Sequence, residues 1–213
     1  LALRLPAWMA PPAHSDDVYR YLWDGQVQRA GINPYRFAPD APELAALRDG
    51  GWAHINNRAL PTIYPPLAQA AFAAAPSLGA WKLLVALADA AVALLLYLGL
   101  ADRRRLVLWA WSPLVVMELA MNAHLDALGV ALLVGGLVAW RRGRVAAAGA
   151  LVAAAAAVKL LPIVALGGMR RRKAVLVAAA VAIALSRPDA AAGPRMAGSV
   201  DEYRRRWRCN DGA

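Results

Sequence analysis

Residues 83–101 read LLVALADAAVALLLYLGLA and are followed by Asp102 and by three arginines at 103–105. A helix rises about 1.5 Å per residue and the hydrocarbon core of a bilayer is about 30 Å thick, so about 20 apolar residues cross it. This stretch is long enough for one crossing. Basic residues directly after an apolar run are typical of the cytoplasmic end of a membrane helix.

The composition of the whole chain agrees with a membrane protein. Of its 213 residues 60% are hydrophobic, against about 45–50% in soluble domains. The mean hydropathy is +0.41, which excludes a disordered chain. The one cysteine, Cys209, excludes an internal disulfide and offers no zinc-ligand spacing. Helix packing must therefore stabilise the fold.

The positive charges lie in clusters beside the apolar runs. The chain carries 24 Lys+Arg against 14 Asp+Glu, and the clusters are at residues 103–105, 141–144 and 170–173. A nucleic-acid-binding surface would interleave basic and aromatic residues, so we expect no nucleic-acid partner. The positive-inside rule instead places all three clusters at the cytoplasmic face.

These clusters set the predicted topology of the remaining apolar runs. Residues 106–140 join two cytoplasmic clusters and would cross twice through short helices, with an outer turn at 122–126. Residues 145–169 are too few for two full spans. A re-entrant hairpin or a pair of short helices is favoured there over a single crossing, which would place the third cluster outside. Residues 174–186 would then lead outward again.

We therefore predict an all-α, polytopic transmembrane helical bundle in three parts. Residues 1–79 form an extracytoplasmic loop with short interfacial helices, one of them within 61–79. Residues 80–186 form the transmembrane region with its short hairpins, and 187–213 begin a second extracytoplasmic loop. Because the chain starts without Met and ends in polar sequence, we interpret it as truncated at both ends.

This topology gathers the unusual polar residues at the outer face. Charged groups at membrane depth cost about 2.5–3.5 kcal/mol each, so they usually line a cavity or pair with one another. Asp89, inside the first predicted span, is expected to pair with a neighbouring helix. His124 and Asp126 at the outer turn, and Lys159 within its apolar run, predict a polar cleft that faces outward.

An aspartate pair stands in the first loop, within SDDVYRYLWDG at residues 15–25. Ser15 is a good N-cap and carboxylates favour a first helical turn, so a capped amphipathic helix explains the pattern without any chemistry. Adjacent carboxylates also repel one another, which suits one of Asp16 and Asp17 to act as a general base. Arg20 lies one helical turn after Asp16. Both explanations stay open on the sequence alone.

The other candidate residues have equally plain structural explanations. Tyr35 and Tyr64 stand in proline-bearing turns and suit the anchoring of a protein at a membrane interface. Lys159 could extend its charge to the interface or hold an anionic head group. The arginine-rich segment 204–208 is a candidate phosphate binder. With three histidines in the chain, a histidine-rich metal site is not expected.

Six segments carry a resemblance to a known family. In chain order they are SDDVYRYLWDG, GINPYRFAPD, PTIYPPLAQ, NAHLDALGV, AAVKLLPIV and YRRRWRCNDG. Together they resemble bacterial members of the glycosyltransferase type C superfamily, among them the polyprenol-phosphate-sugar-dependent mannosyltransferases. The resemblance implies an integral enzyme of the bacterial cytoplasmic membrane whose active site faces outward. It would transfer a hexose, commonly mannose, from a polyprenyl-phosphate carrier to a lipid or glycan acceptor with inversion.

The resemblance also implies roles for residues. An acidic residue of the first outer loop would be the base on the acceptor hydroxyl, here Asp16 or Asp17. Some relatives carry an aspartate where this chain has Ile63, which leaves the aspartate pair. The departing lipid phosphate is an anion and needs cations. No resident cofactor is expected, although the aspartate pair leaves a divalent metal ion possible. Our candidates for substrate binding are Arg20, Asp24, Tyr35, Arg36, Tyr64, His124, Asp126, Lys159, Arg204 and Arg208.

Two other functions compete with this one. A transporter or flippase of a lipid-linked sugar would also need short helices and intramembrane charge, but it would leave the acidic first loop without a role. A non-catalytic membrane subunit would use the aspartate pair merely to cap a helix.

Overall fold

The computed structural model describes residues 4–169, 171–187 and 193. Within these ranges the regular structure is helical and contains no strand, which confirms the all-α prediction for this part of the chain. The α-helices are α1 Arg4–Met9, α2 Asp17–Arg29, α3 Pro66–Ala74, α4 Leu78–Gly99, α5 Val107–Ala110, α6 Pro113–Val115, α7 Asp126–Arg141, α8 Val145–Ala156, α9 Ala165–Gly168 and α10 Arg172–Ser186. Short 3₁₀ segments are Pro42–Leu47, Trp52–His54, Arg103–Leu106 and Leu161–Val164, and Val116–Met121 is a π-helical turn.

Helix α4 is the predicted first span. It begins after Ser77, whose Oγ accepts a hydrogen bond from the Ala80 N–H at 3.2 Å, and so starts earlier than the apolar run suggested. Among the described residues it is the one helix that is long and apolar enough to cross a membrane by itself. The polytopic bundle and its three-part division therefore stay predictions.

The chain breaks at both places where the sequence predicts a polar turn. Between the arm Pro113–Met121 and α7 the chain bends by 120°, with the break at residues 122–125. Helix α8 ends at Ala156, and Lys159 lies in the break before Leu161–Val164 and α9. Residues 145–169 thus form two short helical arms, as one of the predicted alternatives requires.

Helix α2 packs on α3 through an aromatic cluster. The rings of Tyr21 and Phe72 stack with centroids 4.7 Å apart, and Trp81 of α4 lies 5.3 Å from each of them. The indole Nε1 of Trp81 donates to the carbonyl of Ala123 at 2.7 Å. The cluster therefore joins α2, α3 and α4 to the turn that precedes α7.

Asp89 has the partner that the sequence predicts for a buried charge. Its carboxylate accepts hydrogen bonds from Arg4 of α1 and, at 2.8 Å, from the indole of Trp109 in α5. Both charged side chains are buried. A buried carboxylate is tolerated when it is paired and hydrogen-bonded, so Asp89 joins three helices and is accounted for structurally.

Replacement of Gly25 should loosen the contact between α2 and α3. A Cβ atom there would lie 2.2 Å from the Phe72 carbonyl oxygen, so Gly25→Ala should lower the free energy of unfolding by about 1–3 kcal/mol through overpacking. Thermal unfolding of the full-length protein in detergent measures this. Gly50→Ala is the control, because nothing lies within 4 Å of its added Cβ. Equal stability of the two variants would contradict the contact.

Candidate functional site

A cavity of about 470 Å³ opens where three loops meet the start of α2. Its wall comes from α2, from the turn before α3, from the break before α7 and from the break after α8. The lining residues are Asp17, Tyr21, Ile63, Tyr64, Pro65, His124, Leu125, Asp126, Val158, Lys159, Leu160 and Leu161. Five of the residues that the sequence singles out are therefore brought together: Asp17, Tyr64, His124, Asp126 and Lys159.

The two predicted aspartates differ in position. Asp17 is the first residue of α2, lines the cavity, and accepts a hydrogen bond from the Asn56 amide on Oδ1 at 3.1 Å. The positive end of the helix dipole stabilises a carboxylate at this position. Asp16 precedes the helix with its side chain exposed, makes no capping hydrogen bond and is not part of the cavity wall. Of these two aspartates, Asp17 is thus the one available to a molecule in the cavity.

Lys159 and Asp126 form an ion pair in the wall of the same cavity. Lys159 Nζ lies 2.6 Å from Asp126 Oδ1, and the two side chains are 53% and 38% exposed. An exposed pair contributes about 0–1 kcal/mol, so an anion that enters the cavity can replace the carboxylate at little cost. The backbone N–H of Lys159 donates to the Ala155 carbonyl at 3.0 Å, just past the end of α8. This hydrogen bond holds the lysine at the cavity wall.

His124 lies between two carboxylates. Its Nδ1 is 3.8 Å from Asp17 Oδ2, and its Nε2 is 3.3 Å from Glu118 Oε2. The backbone N–H of His124 also donates to the Glu118 carbonyl at 2.9 Å. Our sequence reasoning missed Glu118. The available signal was a lone carboxylate within an apolar run just before the outer turn, since such charges usually have a partner.

Two tyrosines complete the wall. Tyr21 is 1% exposed, and its buried hydroxyl makes no well-aligned hydrogen bond within the part of the chain that the structure describes, although the Tyr64 side chain lies next to it. Burial raises the pKa of both Tyr21 and Tyr64, and the nearby Asp17 carboxylate adds to this shift. Both phenols therefore stay protonated and can donate hydrogen bonds. Tyr21 was also missed, although it follows Asp17 by one helical turn and so lies on the same face of α2.

Arg20 and Asp24 are not part of this cavity. Arg20 Nε lies 2.9 Å from Asp24 Oδ1, both side chains are buried, and Arg20 also donates to the Leu60 carbonyl. The second oxygen of Asp24 accepts from Gln69 of α3 at 3.1 Å. The proximity of Arg20 and Asp16 in sequence suggested another pairing. In the folded chain the arginine instead joins α2 to the loop before α3.

The remaining candidates lie elsewhere. The buried Tyr35 donates its hydroxyl to the Tyr64 carbonyl at 2.6 Å, and so supports the cavity wall from behind. Arg36 is exposed, with its guanidinium 5.7 Å from the Phe37 ring. Arg204 and Arg208 lie outside the described residues. Within the described ranges no three His, Cys, Asp or Glu side chains are grouped to hold a metal ion, and the expectation about metal stays a prediction.

Comparison with known proteins identifies relatives of the chain. Residues 2–178 match the family described as alpha-(1->6)-mannopyranosyltransferase, N-terminal domain. Over 160 residues the chain is 28% identical to an alpha-(1->6)-mannopyranosyltransferase of Mycobacterium tuberculosis. That alignment covers 65% of this chain and 26% of the relative, so the chain spans about a quarter of the relative's length. No solved structure matches the chain.

Tyr21→Phe should show how the buried phenol affects stability below and above pH 10. Below pH 10 we expect the free energy of unfolding to stay unchanged or to rise by up to about 1–3 kcal/mol, because a buried hydroxyl without a well-aligned hydrogen bond is removed. Above about pH 10 the unfolded chain releases the tyrosine proton that the folded chain keeps. Stability therefore falls as pH rises past 10, and it should fall less steeply in the variant.

Unfolding of the purified full-length protein between pH 8 and 11 measures this difference. Tyr97→Phe is the control, because Tyr97 is exposed and its hydroxyl accepts from Arg103. A slope for Tyr21→Phe equal to that of the parent protein above pH 10 would contradict the assignment.

Proposed function

This chain belongs to the alpha-(1->6)-mannopyranosyltransferase family, by its N-terminal domain, and we propose that it is part of a membrane glycosyltransferase that takes mannose from a polyprenyl-phosphate carrier. The acceptor is a lipid or glycan at the outer face of the bacterial cytoplasmic membrane. One observation carries the proposal: a carboxylate, Asp17, and an ammonium group, Lys159, line the same cavity. Sugar transfer from a lipid phosphate needs one group of each kind.

The proposed reaction is a single displacement at the anomeric carbon. The acceptor hydroxyl forms the new C–O bond while its proton passes to the Asp17 carboxylate. The bond between the anomeric carbon and the phosphate oxygen breaks, and polyprenyl phosphate departs as an anion. Attack opposite the leaving group inverts the configuration. A carboxylate on the acceptor side also stabilises the positive charge that develops on the sugar, as in glycosidases.

Lys159 is the proposed partner of the leaving phosphate. In the chain without substrate its ammonium group is paired with the half-exposed Asp126. The phosphodiester of the donor carries the same single negative charge as a carboxylate, and its phosphate gains a second one as the bond to the sugar breaks. It would replace Asp126 with little loss, because the pair of Asp126 and Lys159 is exposed to solvent. Cations aimed at the oxygen that gains charge in the transition state are among the largest contributions to catalysis.

An apolar groove next to the cavity supports a lipid-linked donor. The groove has a volume of about 330 Å³ and is lined mainly by alanine, leucine and other apolar side chains of α3, α8 and α10. It shares Pro65 and Leu160 with the cavity wall. An isoprenoid chain in the groove would therefore leave its phosphate beside Lys159, which lies in the break after α8.

The exposed surface of α4 supports the membrane location. Leu83, Leu87, Leu94 and Leu98 are each about half exposed along one helix. A continuous apolar surface of this kind costs free energy in water and is typical of a lipid-facing helix. The arginines after α4 would then lie at the cytoplasmic face, with the cavity at the other.

Asp17→Asn should abolish transfer and Asp16→Asn should not. Removal of the base is expected to lower kcat by about 10²–10⁴-fold, whereas the exposed Asp16 should tolerate the change within about threefold. The assay follows mannose transfer from polyprenyl-phosphate mannose in membranes that contain the full-length protein. Full activity of Asp17→Asn, alone and combined with Asp16→Asn, would exclude Asp17 as the base.

Lys159→Met should weaken donor binding. A charge-assisted contact is worth about 1.5–3 kcal/mol, so we expect the KM for the lipid-phosphate donor to rise by about 10–100-fold. Lys173→Met is the matched control, because it also removes one exposed lysine and Lys173 is not part of the cavity wall. Equal donor KM values for the two variants would contradict the assignment of the phosphate to Lys159.

A further inference from the structure

The surroundings of His124 indicate a more specific role than the substrate binding that the sequence suggested for it. The imidazole is 18% exposed and has a carboxylate near each ring nitrogen, Asp17 at 3.8 Å and Glu118 at 3.3 Å. The Nε2 atom is buried and makes no aligned hydrogen bond within the described part of the chain. Asp17 and Glu118 come from elements far apart in sequence, so this alignment of acid, imidazole and acid is a product of the tertiary fold.

The segment before His124 has an unusual backbone. Residues Val116–Met121 form a π-helical turn that includes Glu118, and Ala123 has a φ of 55°. Single π-helical turns occur often at functional sites, and a left-handed alanine costs free energy that the surrounding structure must offset. The fold thus holds this turn in an unfavourable conformation directly beside the proposed base.

Contacts from other elements hold the turn in place. The Ala123 carbonyl accepts from the indole of Trp81 at 2.7 Å. Asn122 Oδ1 accepts from the backbone N–H groups of Ala13 and His14, at 3.4 and 3.2 Å, in the segment that leads to Asp17. The imidazole and the aspartate are therefore positioned by the same set of hydrogen bonds.

We propose that Asp17, His124 and Glu118 form a proton-exit path that returns the base to its ionised form after each transfer. The inference rests on the proposed function, because it needs Asp17 to accept the proton of the acceptor hydroxyl. Glu118 and His124 act through Asp17 and are positioning residues. The Glu118 side chain is 40% exposed and lies just before the outer turn, so it can release a proton to the aqueous side.

The proton balance of the path is simple. The acceptor hydroxyl gives its proton to the Asp17 carboxylate as the new glycosidic bond forms. Protonated Asp17 then gives this proton to Nδ1 of neutral His124, and the imidazolium releases its other proton from Nε2 to the Glu118 carboxylate. Glu118 passes the proton to water. The remaining imidazole proton then moves from Nδ1 to Nε2 by tautomer exchange, which restores the starting state of the ring. Long contacts such as the 3.8 Å one commonly shorten when substrate binds.

Other titratable groups around the ring limit the alternatives. The phenols of Tyr21 and Tyr64 stay protonated and cannot accept the proton. Asp126 faces Lys159 at 2.6 Å, and within the described residues it does not come within 4.0 Å of either ring nitrogen of His124. Glu118 is therefore the neighbouring carboxylate that can take a proton from Nε2. The charged or titratable residues that face this region are Asp17 and Tyr21 of α2, Tyr64 before α3, Glu118 of the π-helical turn, Asp126 of α7 and Lys159 after α8.

The test compares His124→Gln and Glu118→Gln in the full-length protein with polyprenyl-phosphate mannose as donor. We expect His124→Gln to lower kcat by at least about tenfold at pH 7, with the donor KM within about twofold. The acidic limb of the kcat–pH profile should move to lower pH, because the path works only while the imidazole is neutral and the variant has no imidazole to protonate. Glu118→Gln should change kcat and the profile in the same direction, but less.

A second variant tests for a proton carrier directly. His124→Ala leaves space for a free imidazole, so added imidazole should restore part of the lost kcat, which a merely structural role would not allow. His54→Gln and Glu43→Gln are matched controls. His54 stacks on Tyr19 at 4.8 Å, outside the cavity wall, and Glu43 is exposed in a 3₁₀ segment.

An unchanged acidic limb, or a failure of imidazole to restore His124→Ala, would overturn the path. Should the histidine variants unfold, as thermal unfolding will reveal, the profile of Glu118→Gln decides alone. The Asp17→Asn variant separates this failure from that of the proposed function. If Asp17→Asn is inactive while the histidine variants behave like the parent protein, the path alone is wrong. If Asp17→Asn is active, both are wrong.

Discussion

The contact between α2 and α3 determines where the cavity lies. A buried ion pair, Arg20 with Asp24, is completed by Gln69 and by the Leu60 carbonyl, so that each charged group has several partners. A buried pair contributes little net free energy when it is intact, but loss of one partner leaves an uncompensated charge and costs about 3–5 kcal/mol. Other positions of α2 on α3 would separate these partners, so the pair favours the observed packing of the two helices.

The cavity itself is built from breaks in helices. Asp17 begins one helix, His124 and Asp126 adjoin a 120° bend, and Lys159 follows the end of α8. Helix ends leave backbone groups without partners inside the helix, and those groups require others. Here the Ala157 carbonyl after α8 accepts from the N–H groups of Leu67 and Ala68 at the start of α3. The breaks in the helices therefore keep hydrogen-bond partners for their backbone groups while they line the cavity.

The charges in the cavity agree better with the proposed sugar transfer than with transport. A flippase needs a polar path for a head group, but it has no use for a carboxylate whose neighbouring imidazole is backed by a second acid. The family to which the chain belongs is one of sugar transferases, and the acid and the cation in this cavity agree with such a reaction. Residues 2–178 match the N-terminal domain of the family, and this range includes Asp17, the proposed base.

The pattern of apolar runs and basic clusters was sufficient to predict a helical chain, the first span and the two polar breaks, because these depend on local composition and length. It also predicted that the aspartate pair, His124, Asp126 and Lys159 lie at one face, together with the arginine-rich segment 204–208, which lies outside the described residues. The choice between Asp16 and Asp17 was not accessible in this way. Successive helix residues point about 100° apart, and only packing of α2 on α3 decides which one faces the cavity. Three further features likewise depend on contacts between segments distant in sequence, which no local pattern encodes: the packing around Arg20, the burial of the Tyr21 hydroxyl and the approach of Glu118 to His124.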